Sequence, residues 1–272
     1  MEIGIDPIAF SIGPIDIAWY GLMVAVAVLF GVIWAWYFLT RKGGVSTDFV
    51  LGAAILVIPL GVVGARLVHV IDKFDFYRDN PAQIVGFEGL AIFGAVLGGI
   101  LGAWLYCKGR KAAFGPLADL AIPGVVFAQA IGRIGCTING CCYGIPTTSW
   151  FSFIYTHPNT HGPLGVPTHP TPLYELMGDL VIFALLFWVF RGRVRPAGSI
   201  FAIFLFLWSA LTLGVRFWRG DIDTFAGPIQ EGQLIALIVM IASGIWLLFK
   251  ARWVGQETDL VDKPQLAEEG SE

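Results

Sequence analysis

The chain has 272 residues, of which 56% are hydrophobic and only 14% charged, whereas soluble domains carry about 45–50% apolar residues and roughly 25% charge. This composition excludes an ordinary cytosolic enzyme and a disordered chain, because one globular core does not hide so much apolar surface. The net charge of −3 and the four cysteines exclude a basic nucleic-acid binder and a disulfide scaffold. The composition therefore predicts an integral membrane protein.

Seven apolar segments are long enough, or nearly so, to cross a membrane as helices, which takes about 20 residues each. They are apolar all round rather than along one face, which predicts an all-α bundle of seven transmembrane helices. We interpret the first segment as a retained helix rather than a signal peptide, because no basic region precedes it. In chain order the predicted helices are 17–39, 49–70, 90–106, 117–136, 172–190, 197–215 and 234–249.

Lysine and arginine positions predict the orientation, because basic residues favour the cytoplasmic side of a membrane. Ten follow the first, third, fifth and seventh segments, and four follow the second and sixth. This places the N-terminus outside and the C-terminus in the cytoplasm, and it places the loop 137–171, which has no lysine or arginine, outside. The ten are Arg41, Lys42, Lys108, Arg110, Lys111, Arg191, Arg193, Arg195, Lys250 and Arg252; the four are Lys73, Arg78, Arg216 and Arg219.

The ends of the chain and its small residues complete the predicted organisation. Residues 256–272 are acidic and poor in apolar side chains, which predicts a disordered tail after a seven-helix membrane domain spanning 1–255. On the third helix, Gly94, Gly98 and Gly102 recur every four residues. Small residues on one helix face let helices approach closely in lipid, so we interpret this stripe as a packing surface.

Charged residues inside the predicted helices are candidates for function, because charge is costly in lipid unless it is paired or hydrated. Arg133 lies in the segment 132–135, where small neighbours leave its guanidinium approachable. A planar guanidinium binds phosphate through two hydrogen bonds, so Arg133 predicts a phosphate site at the outer headgroup level. The structural alternative is an ion pair with Glu175. For Arg66, pairing with Asp179, snorkelling outward and a functional role all stay open.

The segment GRIGCTINGCCYG, residues 132–144, resembles the signature of the bacterial prolipoprotein diacylglyceryl transferases. Five further motifs match the pattern of that family in the same order, so the resemblance covers roughly residues 3–250. The first of them is similar to the opening helix of the family. The five are IDPIAFSIGPIDIAWYGLM, GARLVHVI, GLAIFGAVLGG, THPTPLYE and FWRGD.

The resemblance implies a multi-pass enzyme of the bacterial plasma (inner) membrane with its active site near the outer leaflet. Such an enzyme would transfer the sn-1,2-diacylglyceryl group of phosphatidylglycerol to the lipobox cysteine thiol of a prolipoprotein and release glycerol 1-phosphate. The implied partners are phosphatidylglycerol, prolipoprotein signal peptides with a lipobox cysteine, and membrane lipids. No cofactor and no nucleic acid are implied.

The reaction needs positive charge on the departing phosphate and help in forming the thiolate, which is the reactive form of cysteine. Matched position by position, Arg133 corresponds to the phosphate-facing arginine of the family. Asn139 and Gly144 match further signature residues. The resemblance implies that three other matched residues line or orient the site: Tyr20, Tyr174 and Glu175.

The chain departs from the family pattern at four places. Phe93 stands where members commonly have a histidine, the proposed base for the thiol, and phenylalanine cannot accept a proton. Cys136 and Cys141 stand where members often have asparagine and glutamate, which marks a subgroup with a GCCYG signature. Near the sixth helix, Thr212 occupies the position of the second catalytic arginine, and Arg216 occupies that of a glutamate.

Two substitutes for the missing groups are predicted. Arg216 lies one helical turn after Thr212, on nearly the same face, so we expect it to replace the absent arginine with help from Arg219. The alternative is that both arginines are juxtamembrane charges. His169 is the predicted base, with His69 as the other candidate, although a structural histidine and proton transfer to solvent stay open. The departures also motivate a different function, a non-catalytic family member that binds anionic lipid or lipoprotein.

Cysteine and histidine residues crowd the predicted external region. Their spacing does not match a standard structural zinc pattern, so no metal is assigned. Three interpretations stay open: thiols packed as small apolar groups, a disulfide such as Cys136–Cys141, and a metal site. The residues are Cys136, Cys141, Cys142, His157, His161 and His169.

Overall fold

The computed structural model describes residues 1–85, 92–221 and 231–254. In this part of the chain, seven helical segments are long and apolar enough to cross a membrane, which confirms the predicted all-α membrane class. The helices are α1 (Trp19–Lys42), α2 (Thr47–Asp72), the short α3 (Phe74–Asp79), α4 (Ile92–Gly109), α5 (Phe114–Asn139), α6 (Thr171–Ala184), α7 (Ser199–Arg216) and α8 (Glu231–Lys250). One 3-10 turn covers Pro81–Ile84, and α6 continues as a π-helical turn over Leu185–Phe190.

The observed helices match the predicted segments but several extend beyond the apolar runs. Helix α1 continues through Arg41 and Lys42, because basic side chains interact favourably with the C-terminal end of a helix. Helix α2 begins earlier than predicted, because the Ser46 hydroxyl accepts a hydrogen bond from the Phe49 amide at 3.1 Å and so caps the helix. The first two residues of the predicted segment 90–106 and the predicted tail 256–272 lie outside the described residues.

Short strands join parts of the described chain in three two-stranded pairs. The pairing of β1 with β4 is parallel and joins the start of the chain to the loop that follows α5. The other two pairs are antiparallel. The strands are β1 (Glu2–Ile3), β2 (Ile8–Ile12), β3 (Ile15–Ala18), β4 (Ile154–Tyr155), β5 (Val194–Arg195) and β6 (Arg252–Trp253).

The N-terminal motif is not wholly an opening helix, so that part of the sequence interpretation was wrong. Strands β2 and β3 form a hairpin, and α1 begins only at Trp19. Gly13 adopts a φ of 61° between the two strands, a conformation that glycine reaches without a steric penalty. The Gly13-Pro14 dipeptide between two runs rich in isoleucine was the available signal for a turn.

The contacts divide the chain into two compact units, one of which contains residues 35–85 and 92–120 among those described. In this unit α2 and α4 pack closely through glycines. A Cβ atom added at Gly94 would overlap the carbonyl oxygen of Gly64, and one added at Gly98 would overlap that of Leu60. Helices in lipid associate through such close backbone contact. The predicted packing role of the glycine stripe on the third span is confirmed.

Two polar side chains of this unit bear on the sequence analysis. Arg66 donates hydrogen bonds to the carbonyl oxygens of Gln83 and Ile84 and lies over the ring of Tyr77, 5.0 Å from its centroid. The ring of His69 lies 5.9 Å from that of Tyr77. Both polar side chains therefore pack against the segment that follows α2.

Replacing Gly94 by alanine is expected to destabilise the α2–α4 contact by about 1–3 kcal/mol, because the added methyl forces two backbones apart. The measurement is the thermal unfolding midpoint of the purified protein in detergent. Gly99→Ala is the matched control, since a Cβ there would lie 3.9 Å from Val57 Cγ1 in ordinary contact. Equal midpoints for the two variants would contradict the packing argument.

The second unit contains residues 1–34, 121–221 and 231–254 among those described, and every predicted site residue lies in it. Its helices α1, α5 and α6 meet through aromatic rings. Phe127 lies 4.8 Å from Phe30 and 5.1 Å from Phe183, measured between ring centroids. Near the other end of this contact, a Cβ at Gly135 would lie 2.9 Å from Met23 Cβ. The absence of a side chain there brings the start of α1 against the last turns of α5.

Candidate active site

Arg133 lies near the C-terminal end of α5 and faces Glu175 in the second turn of α6. Its Nη1 atom is 3.0 Å from Glu175 Oε2, with side-chain exposures of 14% and 6%. The predicted structural alternative, an ion pair between these residues, is therefore present. Asp179 follows Glu175 by one turn and is also buried. Its position beside the pair was not predicted, although a second carboxylate four residues after Glu175 was a signal in the sequence.

Two cysteine thiols contact the same guanidinium, and a third lies beside those two. Arg133 Nη1 lies 4.0 Å from Cys136 Sγ and 3.8 Å from Cys142 Sγ. The Sγ atoms of Cys136, Cys141 and Cys142 all lie within 4.8 Å of one another. All four cysteines of the chain are free thiols in this structure, so the disulfide alternative is not realised here.

The backbone after α5 turns sharply to bring these thiols together. Gly140 and Cys142 have φ angles of 72° and 62°, in the left-handed region that residues other than glycine rarely adopt. The Cys142 carbonyl accepts a hydrogen bond from the Thr171 hydroxyl. The Asn139 carbonyl accepts one from the His161 amide at 3.1 Å. These bonds attach the turn to the start of α6 and to the loop, which explains how the strained conformation is held.

The surroundings of the Cys142 thiol favour its ionised form. Hydrogen bonds from the thiols of Cys136 and Cys141 hold the pKa of Cys142 well below its usual range. Burial acts in the opposite direction, whereas the positive charges of Arg219 and Arg133 lower this pKa further. The pKa of the Cys141 thiol is raised, because its hydrogen bonds to the other two thiols and its burial favour the protonated form. Among Cys141 and Cys142, the surroundings therefore favour ionisation of Cys142.

A backbone junction joins the signature turn to two other predicted site segments. The Gly144 amide donates to the His169 carbonyl at 3.0 Å, and Gly144 also pairs with Arg219 as an antiparallel bridge. A Cβ at Gly144 would lie 2.5 Å from His169 Cβ and 2.8 Å from the Trp218 carbonyl oxygen. Only glycine fits without displacing one of these strands. The predicted importance of Gly144 is therefore explained by close backbone approach.

His169 lies just before α6 and contacts two aromatic side chains. Its Nδ1 atom is 3.2 Å from the Tyr174 hydroxyl, and its ring centroid is 4.7 Å from that of Trp218. The hydrogen bond to Tyr174 uses the Nδ1 nitrogen of the ring. His157, by contrast, lies with Nε2 3.8 Å from Asp6 Oδ2, so it does not join the cysteine cluster.

Arg219 is held by a carboxylate two residues later. Its Nε and Nη2 atoms donate to the two carboxylate oxygens of Asp221 at 2.9 and 2.7 Å, the fork geometry that arginine favours. Burial lowers the pKa of Arg219, but the nearby Cys142 thiol and the Asp221 carboxylate outweigh it and raise this pKa above its ordinary value. Asp221 was not among the predicted site residues, although it belongs to the quoted FWRGD motif.

Arg216 is the last residue of α7, and its guanidinium packs against the backbone of Gly232 at the start of α8. It lies within electrostatic range of the Glu175 carboxylate, as do Arg133 and Arg219. Thr212 is buried one turn earlier, with 6% exposure. Position 212, where the family pattern has an arginine, is thus buried. The positive charge of Arg216 lies instead at the end of α7.

The remaining predicted residues have less specific surroundings. Tyr20 is the second residue of α1, and its hydroxyl is in electrostatic range of Arg133 and the three thiols. Phe93 is buried in the other unit.

A shallow cavity of about 490 Å³ opens in the loop after α5, but the predicted site residues do not line it. Its lining consists of Pro146, Thr147, Thr148, Val166 and Pro167.

Replacing Gly144 by alanine is expected to lower transfer activity roughly 10-fold, because the new methyl displaces the segments that carry His169 and Arg219. The measurement is the initial rate in the assay described below. Gly214→Ala is the matched control, since no atom lies within 4 Å of a Cβ at that helical position. Unchanged activity in Gly144→Ala would show that the junction does not position the site.

Comparison with known proteins gives one consistent result. The family model described as prolipoprotein diacylglyceryl transferase matches residues 7–250. A protein of Dehalococcoides mccartyi is 39% identical over 251 residues, which is 92% of this chain and 96% of the relative. Relatives from Finegoldia magna and Clostridioides difficile are 34% and 35% identical and cover 88% and 87% of this chain, and 94% and 92% of their own lengths. All three are named phosphatidylglycerol--prolipoprotein diacylglyceryl transferase.

Proposed function

The chain belongs to the prolipoprotein diacylglyceryl transferase family, and we propose that it transfers the sn-1,2-diacylglyceryl group of phosphatidylglycerol to the lipobox cysteine thiol of a prolipoprotein. In this reaction a carbon–sulfur bond forms at the glyceryl carbon, and the bond from that carbon to the phosphate oxygen breaks. The departing group is glycerol 1-phosphate. The protein is an enzyme of lipoprotein biosynthesis embedded in a membrane by seven helices.

The observation that supports this function best is the convergence of three guanidinium groups on one buried carboxylate. Arg133, Arg216 and Arg219 all interact electrostatically with Glu175. Asp221 forms an ion pair with Arg219, and Glu175 forms one with Arg133. Guanidinium groups gathered in this way stabilise the negative charge that develops on a departing phosphate.

Within this site Arg133 is the phosphate-binding residue, oriented by Glu175. Arg216 supplies the second positive charge in place of the arginine absent at position 212, and Arg219 assists it. Such contacts act in a partly dehydrated site, where each is worth more than in water. The Arg133 side chain as a whole is 14% exposed.

His169 accepts the proton of the substrate thiol as the sulfur attacks. Its hydrogen bond to Tyr174 fixes the ring orientation, which is the usual requirement for a general base. Tyr20 and Asn139 line the same region, and Gly144 sets the approach of the strands. This assignment gives a role to each residue that the family resemblance implied.

The site faces the outer leaflet of the bacterial plasma membrane, and the N-terminus is external. The distribution of lysine and arginine supports this orientation. The substrates are phosphatidylglycerol from the surrounding lipid and the signal peptide of a prolipoprotein that carries a lipobox cysteine. Nucleic acid is not a partner.

The reaction is tested in bacterial cells depleted of their own transferase and expressing this chain. With labelled phosphatidylglycerol, a lipobox substrate is expected to gain a diacylglyceryl thioether. A substrate with serine in place of the lipobox cysteine is the control and gains no label. Absence of the labelled thioether from the wild-type chain, when the protein is present in the membrane, would overturn the proposal.

A further inference from the structure

The three thiols of the signature turn form a cluster that the transferase reaction does not require. Cys136 belongs to the last turn of α5, and Cys141 and Cys142 follow its end. Their Sγ atoms lie within 4.8 Å of one another. Sulfur atoms bound to one tetrahedral zinc ion, at about 2.3 Å each, are separated by about 3.8 Å. Small side-chain rotations therefore suffice to direct all three sulfurs at one ion.

The backbone conformation of the turn holds the three thiols in this arrangement. Cys142 adopts a left-handed conformation, with a φ of 62°, and a residue other than glycine keeps such a conformation only where its surroundings fix it. The bond from Thr171 to the Cys142 carbonyl and those from His161 and Thr160 to the Asn139 carbonyl do so. Spacing along the chain did not reveal this site, because the turn, and not a standard motif, brings the sulfurs together.

A positive charge beside the cluster favours the thiolate, the ligand form of cysteine, at two of its three sulfurs. Metal ions bind thiolates, and the thiols here are free. The Arg133 guanidinium lies 4.0 and 3.8 Å from the sulfurs of Cys136 and Cys142 and stabilises negative charge on both. Three thiolates and one divalent cation carry a net charge of −1, which this guanidinium balances.

We propose that Cys136, Cys141 and Cys142 form a three-thiolate binding site for a thiophilic divalent cation of the zinc class. Thiolate ligands select such ions over magnesium or calcium. In the described residues this group consists of the three cysteines alone, so the fourth tetrahedral position belongs to water or another ligand. The site goes beyond the proposed transfer reaction, since no step of that reaction uses the three thiols.

The site is tested by metal binding to the purified full-length chain in detergent, after reduction and removal of metal with a chelator. Cobalt(II) is the probe, because its thiolate complexes show strong charge-transfer absorption. One equivalent is expected to bind, and zinc is expected to displace it. Serine at any one of the three positions is expected to weaken binding at least about 100-fold, the upper end of what loss of an outer-shell partner costs.

Cys107→Ser is the matched control, because Cys107 is a buried free thiol in α4 with the same 6% exposure as Cys136. It is expected to bind cobalt like the wild type. The proposal is overturned by absence of the charge-transfer band, or by cobalt binding in the three cluster variants that is as tight as in the wild type. It is also overturned if protein isolated without reductant has fewer than four titratable thiols after denaturation, because a disulfide then occupies the cluster. Binding is measured without lipid or prolipoprotein, so failure of the transferase proposal leaves the result intact.

Discussion

Replacing Arg133 by lysine is expected to lower kcat/KM for phosphatidylglycerol about 100- to 1000-fold while the protein stays folded. Lysine keeps a positive charge opposite Glu175, 3.0 Å away in the wild type, but it lacks the planar fork that binds two phosphate oxygens. Initial rates of labelled thioether formation measure the effect. Arg78→Ala is the control, since Arg78 is an exposed arginine paired with Asp79, and wild-type rates are expected for it.

A double replacement separates phosphate binding from simple neutralisation of Glu175. Arg133→Gln alone removes the ion-pair partner of the buried Glu175 carboxylate, and breaking a buried pair in this way costs about 3–5 kcal/mol. Adding Glu175→Gln removes that penalty, so the thermal midpoint of the double variant is expected to recover. Its activity is expected to stay as low as that of Arg133→Lys. Recovery of activity together with stability would mean that Arg133 serves only to neutralise Glu175.

Replacing Arg216 by alanine is expected to lower kcat/KM roughly 10- to 100-fold, the effect of losing one hydrogen bond to a charged group. The residue ends α7 and interacts electrostatically with Glu175, where a second charge reaches the same phosphate as Arg133. The measurement is the same rate assay, with phosphatidylglycerol varied. The loss is expected to combine with that of Arg133→Lys less than additively in free energy, because both residues bind one ligand.

The alternative for Arg216 is an ordinary juxtamembrane charge, and Arg41 provides the comparison. Arg41 lies in the last turn of α1, as Arg216 does in α7, and it covers the Tyr37 ring at 4.7 Å. Arg41→Ala is expected to retain wild-type activity. If Arg216→Ala is as active as Arg41→Ala, Arg216 does not replace the arginine missing at position 212.

Much of the fold followed from the sequence, and the errors were local. The seven spans were predictable because each helix satisfies its own backbone hydrogen bonds and needs about 20 apolar residues. The β2–β3 hairpin was missed because the following apolar run and the family resemblance both suggested that the helix began earlier. The sequence predicted that Gly94 packs against another helix. Only the structure shows that its partner is Gly64 in α2.

The sequence alone also identified the family, through the ordered motifs and the single arginine of the signature, and those motifs supplied the residues proposed for the site. Their partners were harder to predict. Glu175 was foreseen as one possible partner of Arg133, whereas Asp221 on Arg219 was not.

What the sequence determined by itself is the membrane class, the seven spans and the family, because hydrophobic length and the order of motifs do not depend on contacts. Only the tertiary structure decided which charged residues form ion pairs and that the three thiols lie close together. Those outcomes depend on the left-handed turn at Gly140 and Cys142 and on the approach of α6 to α5. Arg133 and Glu175 are about forty positions apart in the chain. The backbone geometry that brings them together is not encoded in any local sequence pattern.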